Sequence, residues 1–249
     1  MDTIYLDGRH YDRMFGAHDA IPFLLEQARA CCGPVLELAC GTGKLLEPIA
    51  QAGFAATGVD LSEPMLAEAR RNAQAAGTST RYVHADIRHF SLSDRFAFIF
   101  IAKNSICHLL DIDSFDATMA RVREHLSKDG RFLIDVYVPS LPLLMVDPAV
   151  RQTLTTYDHP DGTGRVVVTH TARYDAITQI KSATTFHQFP GEASEHVGSL
   201  TLKMYFPQEL QALLRHHGFR ILEAYGNYDK SPLTSESPKQ IYILERQAC

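Results

Sequence analysis

The chain has 249 residues, 45% hydrophobic and 21% charged, which fits an ordinary globular protein of one large domain or one domain with an inserted module. The net charge of −5 gives no electrostatic reason to expect nucleic acid or an anionic membrane as a partner. No run reaches the roughly 18 apolar residues of a membrane span, and residues 1–15 lack the apolar core of a signal peptide. Five cysteines, an odd number with one vicinal pair (Cys31, Cys32) and no CxxC, make neither a disulfide framework nor a zinc site and suit the reduced cytosol. Among twelve histidines there is no HxxxH or HExxH, so no metal is expected.

In chain order, residues 1–15 carry Tyr5, Tyr11 and Phe15 without a clear period. A helix is predicted over 21–30, with Ile21, Leu24, Leu25 and Ala28 on one stripe. A strand over 35–40 leads to a helix over 44–52 that Gly53 ends. The next strand is 55–59, followed by a helix that Ser62 caps and Gly77 stops. A third strand, 80–84, runs into Ala85-Asp86-Ile87. Residues 96–102 are almost wholly apolar, as in a central strand covered on both faces. A helix over 114–126 and a turn at Asp129-Gly130 lead to a strand over 131–138. This β/α alternation predicts an α/β, doubly wound, mostly parallel sheet.

The texture then changes. Residues 139–150 are Pro-rich and apolar, and 152–205 are rich in Thr, Val, Tyr and Phe between turn signals. This reads as an inserted antiparallel β meander of three or four strands. A helix over 207–217, stopped by Gly218, and strands over 219–225 and 240–245 resume the first texture. The expected organisation is a core over 1–151, an insertion over 152–205 and the rest of the core over 206–249.

Two stretches carry the chemistry. Val35-Leu-Glu-Leu-Ala-Cys-Gly-Thr-Gly-Lys44 is followed by Thr57-Gly-Val-Asp-Leu-Ser62. A strand, a glycine turn, a helix and a second strand ending in a carboxylate form a βαβ unit that holds a nucleoside at the strand ends. The glycines let the backbone approach the ligand. Asp60 is placed to accept hydrogen bonds from two ribose hydroxyls.

Glu37-Leu-Ala-Cys-Gly-Thr-Gly43, Gly58-Val-Asp-Leu-Ser62 with Met65, Ala85-Asp-Ile87 and the late antiparallel strand pair resemble the class I S-adenosylmethionine-dependent methyltransferases. The resemblance is close over 35–138 and in outline over 207–246. Tyr225-Gly-Asn-Tyr-Asp, with Ser231-Pro and Ser237-Pro before Ile241-Tyr-Ile, is similar to one small-molecule branch. The resemblance implies a Rossmann-like sheet with an antiparallel last strand, S-adenosylmethionine as cofactor, and a lid in the insertion and N-terminal arm. It also implies the site. Glu37 would orient the turn and attract the methionine ammonium, Gly41 and Gly43 would give backbone approach, and Asp60 would take the ribose. Leu61 and Met65 would sandwich the adenine, which Asp86 and the Ile87 N–H would bind. Lys103 and Asn104 would complete the far wall. Ala39 stands where the family often has glycine, which implies a stiffer turn. A dehydrogenase fingerprint would want a third glycine where Leu46 stands.

The resemblance leaves catalysis and acceptor less defined. Methyl transfer needs a nucleophile aligned and desolvated. His108, four residues past Asn104, is the candidate base or substrate ligand. Tyr5 and Tyr11 are candidate lid residues. Tyr137 is expected to point toward the site, and Tyr157, Tyr174, Phe186, His187 and Tyr205 are candidates for a substrate wall. Ala102-Lys-Asn-Ser105 is not an NPPY or DPPY tetrapeptide, which disfavours DNA bases and glutamine as acceptors. No basic patch with interleaved aromatics supports a nucleic acid. The expectation is a cytoplasmic monomer or homodimer that methylates a small molecule at nitrogen: an amine, an amino sugar or an N-heterocycle such as an azapteridine. The alternatives are O-methylation of a natural product, an NAD-dependent dehydrogenase, and a cofactor-binding partner without activity.

Overall fold

The computed structural model describes residues 5, 7–15 and 19–247; Cys249 lies outside them. In chain order the elements are α1 (Gly8–Met14), α2 (Ile21–Cys31), β1 (Val35–Leu38), α3 (Leu46–Gln51), β2 (Ala56–Asp60), α4 (Glu63–Ala76) and β3 (Arg81–His84). Then come β4 (Phe96–Ile101), α5 (Ile112–His125), β5 (Leu126–Tyr137) and α6 (Leu141–Leu144). β6 (Gln152–Asp158), β7 (Arg165–Asp175), β8 (Ile180–Gln188) and β9 (His196–Lys203) follow, and α7 (Pro207–His216), β10 (Phe219–Tyr225) and β11 (Lys239–Arg246) close the chain.

Among the described residues, seven strands form one sheet in the order β10-β11-β5-β4-β1-β2-β3. The pairs β1–β2, β2–β3, β1–β4 and β4–β5 are parallel, and β11 is antiparallel to both β5 and β10. The doubly wound sheet with an antiparallel last strand is therefore as expected. The chain moves outward from β1 to β3 and then returns to the other side of β1 as β4. That reversal opens a crevice at the carboxyl ends of β1 and β4, where such sheets bind ligands. Strand alternation splits the core between the two faces. Leu36, Ile99, Phe132 and Ile134 pack with α5 and α7, whereas Val35, Phe98, Phe100 and Leu133 pack with α2 and α3. No described helix is long and apolar enough to cross a membrane.

The insertion is a separate four-stranded antiparallel sheet, β6-β7-β8-β9. Cross-strand partners share a face, so Tyr157, Val166, Val168, His187, His196 and, further along β9, Leu200 and Leu202 lie on one side.

Several boundaries differ from the sequence expectation for local reasons. The arm holds a helix, α1, because the Asp7 carboxylate accepts from Arg9 N and His10 N at 2.8 and 3.3 Å. α5 begins earlier than Ser114 because Asp111 caps it, accepting from Ser114 N at 2.7 Å. Strand β5 begins at Leu126. The register jumps between Phe96↔Leu126 and Phe98↔Arg131, so the expected Asp129-Gly130 turn is a bulge within a longer strand. A Cβ at Gly130 would stand 3.0 Å from Phe96 O.

One buried contact fixes the turn after β1 from behind. A Cβ at Gly43 would stand 2.1 Å from the Tyr82 hydroxyl. That hydroxyl donates to buried Glu47 at 2.6 Å, which also accepts from the Thr78 hydroxyl. Tyr82→Phe removes one donor from a buried carboxylate and should cost about 1.5–3 kcal/mol in urea unfolding. A loss below about 0.5 kcal/mol, the size of an ordinary surface substitution, would show that this contact does not brace the turn.

Candidate active site

The turn that leaves β1 is left-handed at three positions: Ala39 at φ +58°, Gly41 at +54° and Gly43 at +77°. Left-handed backbone costs a non-glycine residue roughly 1–2 kcal/mol, so Ala39 is the strained member. Asp60, at the end of β2, holds the turn. Its carboxylate accepts from Gly41 N at 2.7 Å and from Ser62 N at 2.8 Å. Burial pushes the Asp60 carboxyl up, against the pull of the Ser62 and Gly41 N–H groups.

Glu37 lies beneath the same turn and is 4% exposed. Among the described residues its Oε2 has no hydrogen-bond partner. Burial, then the nearby Asp60 charge, push its carboxyl well above the ordinary range. An orphaned buried carboxylate oxygen calls for a cationic or hydrogen-bonding ligand. Asp60 keeps lone pairs beyond the two it uses. The pair therefore fits an amino-acid ammonium at Glu37 and ribose hydroxyls at Asp60.

These residues open onto a cleft with two halves. One half, about 470 Å³, is bordered by Glu37, Lys44, Asn104 and Tyr137. The other, about 450 Å³, is bordered by Asp60, Leu61, Met65, Asp86 and Ile87. Ala39, Gly41, Lys103, Tyr5, Tyr11 and His108 border both. Of the expected cofactor residues, Gly43 is the exception. It faces Tyr82, so what it admits is a tyrosine hydroxyl.

Asp86 carries a partner that the sequence reading missed. Arg88 grips it through Nε at 3.0 Å and Nη2 at 2.6 Å, and that contact holds the Asp86 carboxyl below its usual range. Arg88 also borders the cleft. The signal was the Asp-x-Arg spacing itself.

Lys103 and Asn104 are left-handed in succession, at φ +53° and +67°. Fully buried Asp135 on β5 fixes them by accepting from Lys103 N at 3.0 Å. The Tyr228 hydroxyl also donates to Asp135, and Lys239 Nζ lies 3.4 Å from it. The Asn104 side chain is spent on Tyr137 N at 2.8 Å, and Lys103 Nζ pairs with Asp19 at 3.1 Å. Asp135 and Lys239 were missed because this network crosses three distant segments.

The arm closes over the turn. A Cβ at Gly8 would stand 2.7 Å from Glu68 Cβ, so α1 lies tightly on α4. Asp12 accepts from the Thr42 hydroxyl at 2.6 Å, and Ser62 Oγ donates to Tyr5 O at 2.7 Å. The Tyr5 hydroxyl is 2.8 Å from His108 Nε2, and the Tyr5 and Tyr11 rings are 5.6 Å apart. The three candidate catalytic residues thus meet where the halves of the cleft join. Burial, helped by Asp60, pushes the Tyr11 phenol up to about 12.

The substrate-wall candidates divide. Tyr137 borders the cleft, and its hydroxyl donates to Met204 Sδ at 3.3 Å. Tyr157 and His187 border a second cavity beside α1. Phe186, next to His187 on a strand, points to the opposite face, with the Arg151 guanidinium 3.9 Å above its ring. Tyr174 borders neither cavity. Tyr205 is core: it packs on Phe115 and donates to Leu109 O at 2.6 Å. In place of Phe186 and Tyr174, the roof of the cleft is Leu200, Thr201 and Leu202 of β9. Alternation alone could not say which strand would face inward.

Residues 35–130 match the methyltransferase domain family. Over 101 residues the chain is 36% identical to the dTDP-3-amino-3,6-dideoxy-alpha-D-glucopyranose N,N-dimethyltransferase of Streptomyces fradiae, covering 41% of this chain and 38% of that protein. Over 223 residues it is 28% identical to the dTDP-3-amino-3,4,6-trideoxy-alpha-D-glucopyranose N,N-dimethyltransferase of Streptomyces venezuelae, covering 88% of each. The CcbJ methyltransferase of Streptomyces caelestis shares the fold with a TM-score of 0.86 at 24% identity, over 99% of both chains. Residues 35–130 therefore carry a methyltransferase domain, and the whole chain has the fold of the methyltransferase it resembles. S-adenosylmethionine is its cofactor.

The raised Glu37 carboxyl has a thermodynamic consequence. The folded chain holds that proton more tightly than the unfolded chain, so ionising Glu37 erodes stability as pH rises above the ordinary carboxylate range. Glu37→Gln should therefore make the ligand-free protein more stable at pH 7 than the parent, with a flatter stability profile from pH 5 to 8. The same change should weaken S-adenosylhomocysteine binding tenfold or more, about 1.4 kcal/mol. Thermal melts and calorimetry read both, and lower stability with normal affinity would contradict the assignment. Asp60→Ala should weaken the same ligand by roughly 2–4 kcal/mol, and unchanged affinity would remove Asp60 from the ribose.

Proposed function

We propose that this protein transfers the methyl group of S-adenosylmethionine to an amine nitrogen of a small molecule. The Tyr5–His108 pair at the junction of the cleft carries this reading. The cofactor, when bound, supplies an electrophilic methyl carbon on a positively charged sulfur. The chain's own task is to align and desolvate the acceptor.

An alkylammonium of pKa roughly 10 lies within reach of an imidazole acting as a base, whereas an aliphatic hydroxyl does not. His108 would take the ammonium proton through one ring nitrogen while the other is oriented by its neighbours, and Tyr5 would hold the ring in place. Tyr11 stays a neutral phenol at any working pH, so it serves as a wall and hydrogen-bond donor and not as a base. Closure of the arm, through Asp12 on Thr42 and Tyr5 on Ser62, would exclude water from the reacting atoms. The amino-sugar N,N-dimethyltransferases of two Streptomyces species support nitrogen as the acceptor atom.

Mass spectrometry of reactions with S-adenosylmethionine and a panel of amino sugars, N-heterocycles and phenols tests this reading. Methyl groups on amine nitrogen are the expected product. Tyr5→Phe and His108→Ala should each lower turnover tenfold or more, about 1.4 kcal/mol in barrier, with S-adenosylhomocysteine affinity within threefold of the parent. Methylation confined to phenols, or full turnover in both variants, would overturn the proposal.

A further inference from the structure

A second cavity of about 420 Å³ lies between α1 and one end of the antiparallel sheet, within the roughly 300–1,000 Å³ of small-ligand sites. Four imidazoles from four separate segments converge on it: His10 of α1, His159 of the turn after β6, His187 of β8 and His196 of β9. Phe189 sits among them, with ring centroids 5.2 Å from His10, 6.0 Å from His159 and 5.0 Å from His196. Nothing in the transfer chemistry uses this cluster.

The chemistry of the lining narrows the occupant. His10 meets the Tyr157 hydroxyl through Nδ1 at 3.1 Å, and His187 meets Thr185 through Nε2 at 3.2 Å. Among the described residues, no hydrogen bond takes the second ring nitrogen of either. A neutral imidazole donates at one nitrogen and accepts at the other, which suits hydroxyl groups that do both. Burial holds His10 and His187 below the usual imidazole range, so both are neutral at pH 7. Glu192 and Asp7 add acceptors, and among the described residues no lysine or arginine borders the cavity. The Glu192 and Asp7 carboxylates would repel a phosphate or carboxylate there. The Phe189 face offers an apolar surface to a saturated ring.

The cavity is also placed to share a ligand with the cleft. Met14 of α1 borders both. On the inner face of β9, Gly198 borders the second cavity and Leu200 the cleft, two residues or about 7 Å apart along a strand. Both spaces are bordered by the antiparallel sheet and by α1, and Met14 borders each of them.

We propose that this cavity is a distal subsite for the acceptor that takes an uncharged hydroxylated ring, such as a pyranose, laid on Phe189 with its hydroxyls toward the four imidazoles. The proposal rests on the small-molecule methyltransferase reading and adds the chemical class of the acceptor's far end. Met14, which borders both spaces, is an unbranched and adaptable side chain.

Histidine ring resonances of the full chain, saturated with S-adenosylhomocysteine, test it by NMR titration with methyl α-D-glucopyranoside and, separately, with inorganic phosphate. The glycoside should shift the His10, His159, His187 and His196 signals saturably, and phosphate should leave them unmoved. His159→Ala, at a turn, and His187→Leu, in the sheet, should each weaken the glycoside fivefold or more, with S-adenosylhomocysteine affinity within twofold of the parent. Phosphate shifting these signals, or a glycoside that leaves all four unmoved, would overturn the subsite. Saturable glycoside binding in a chain that methylates no amine would uphold the subsite and sink the amine reading. Amine methylation without any glycoside response would do the reverse.

Discussion

Two carboxylates brought close together at the ends of adjacent strands govern this site. Glu37 stands on β1 opposite Gly58 of β2, and Asp60 ends β2 two residues later. Both are buried enough that their carboxyls are pushed above the ordinary range, and the Asp60 charge adds to the rise at Glu37. Like charges out of water are costly unless a ligand or hydrogen bonds compensate them. Backbone N–H groups compensate Asp60. Glu37 lacks that support at Oε2, which leaves a place for a cationic ligand. The left-handed turn from Ala39 to Gly43 exists in the form it has because Asp60 draws Gly41 N toward itself.

The same device recurs across the crevice. The turn after β4 is left-handed at Lys103 and Asn104, and Asp135 of the neighbouring strand β5 holds it by its backbone. In each case a carboxylate on the adjacent strand fixes a strained turn at the carboxyl end of a central strand. The two turns flank the point where the sheet reverses direction, and the cleft lies between them. Strain of this kind persists only where the surroundings over-determine it, and here buried carboxylates do so twice. The arm then seals the space from outside through the Thr42, Ser62 and His108 contacts.

Much of this was legible in the sequence, because strand ends can be read locally. The run from Val35 to Leu38 and the carboxylate at Asp60 need only a pattern of period and glycine. The late pair of apolar runs marked two further strands, and the family resemblance implied that the last one runs antiparallel. What stayed hidden depended on contacts between distant segments. Asp135 looks like one more charge in an apolar strand until Lys103, Tyr228 and Lys239 surround it. Phe186 and His187 are equivalent candidates in sequence, and only the docking of the meander decides that His187 faces inward while Phe186 lies under Arg151. α1 was missed because seven residues capped by Asp7 carry too little apolar period to register. The position of Gly43 in the turn points to the ligand, yet its space is filled by a tyrosine from β3.

The most direct test of the account is the proton balance of cofactor binding, measured by calorimetry with S-adenosylhomocysteine at one pH in two buffers of different ionisation enthalpy. If the buried Glu37 carboxyl gives up its proton to meet the ligand's ammonium, the binding enthalpies differ between buffers by the heat of a released proton, and the difference vanishes in Glu37→Gln. Equal enthalpies in both buffers, or a proton release that persists in the variant, would contradict it.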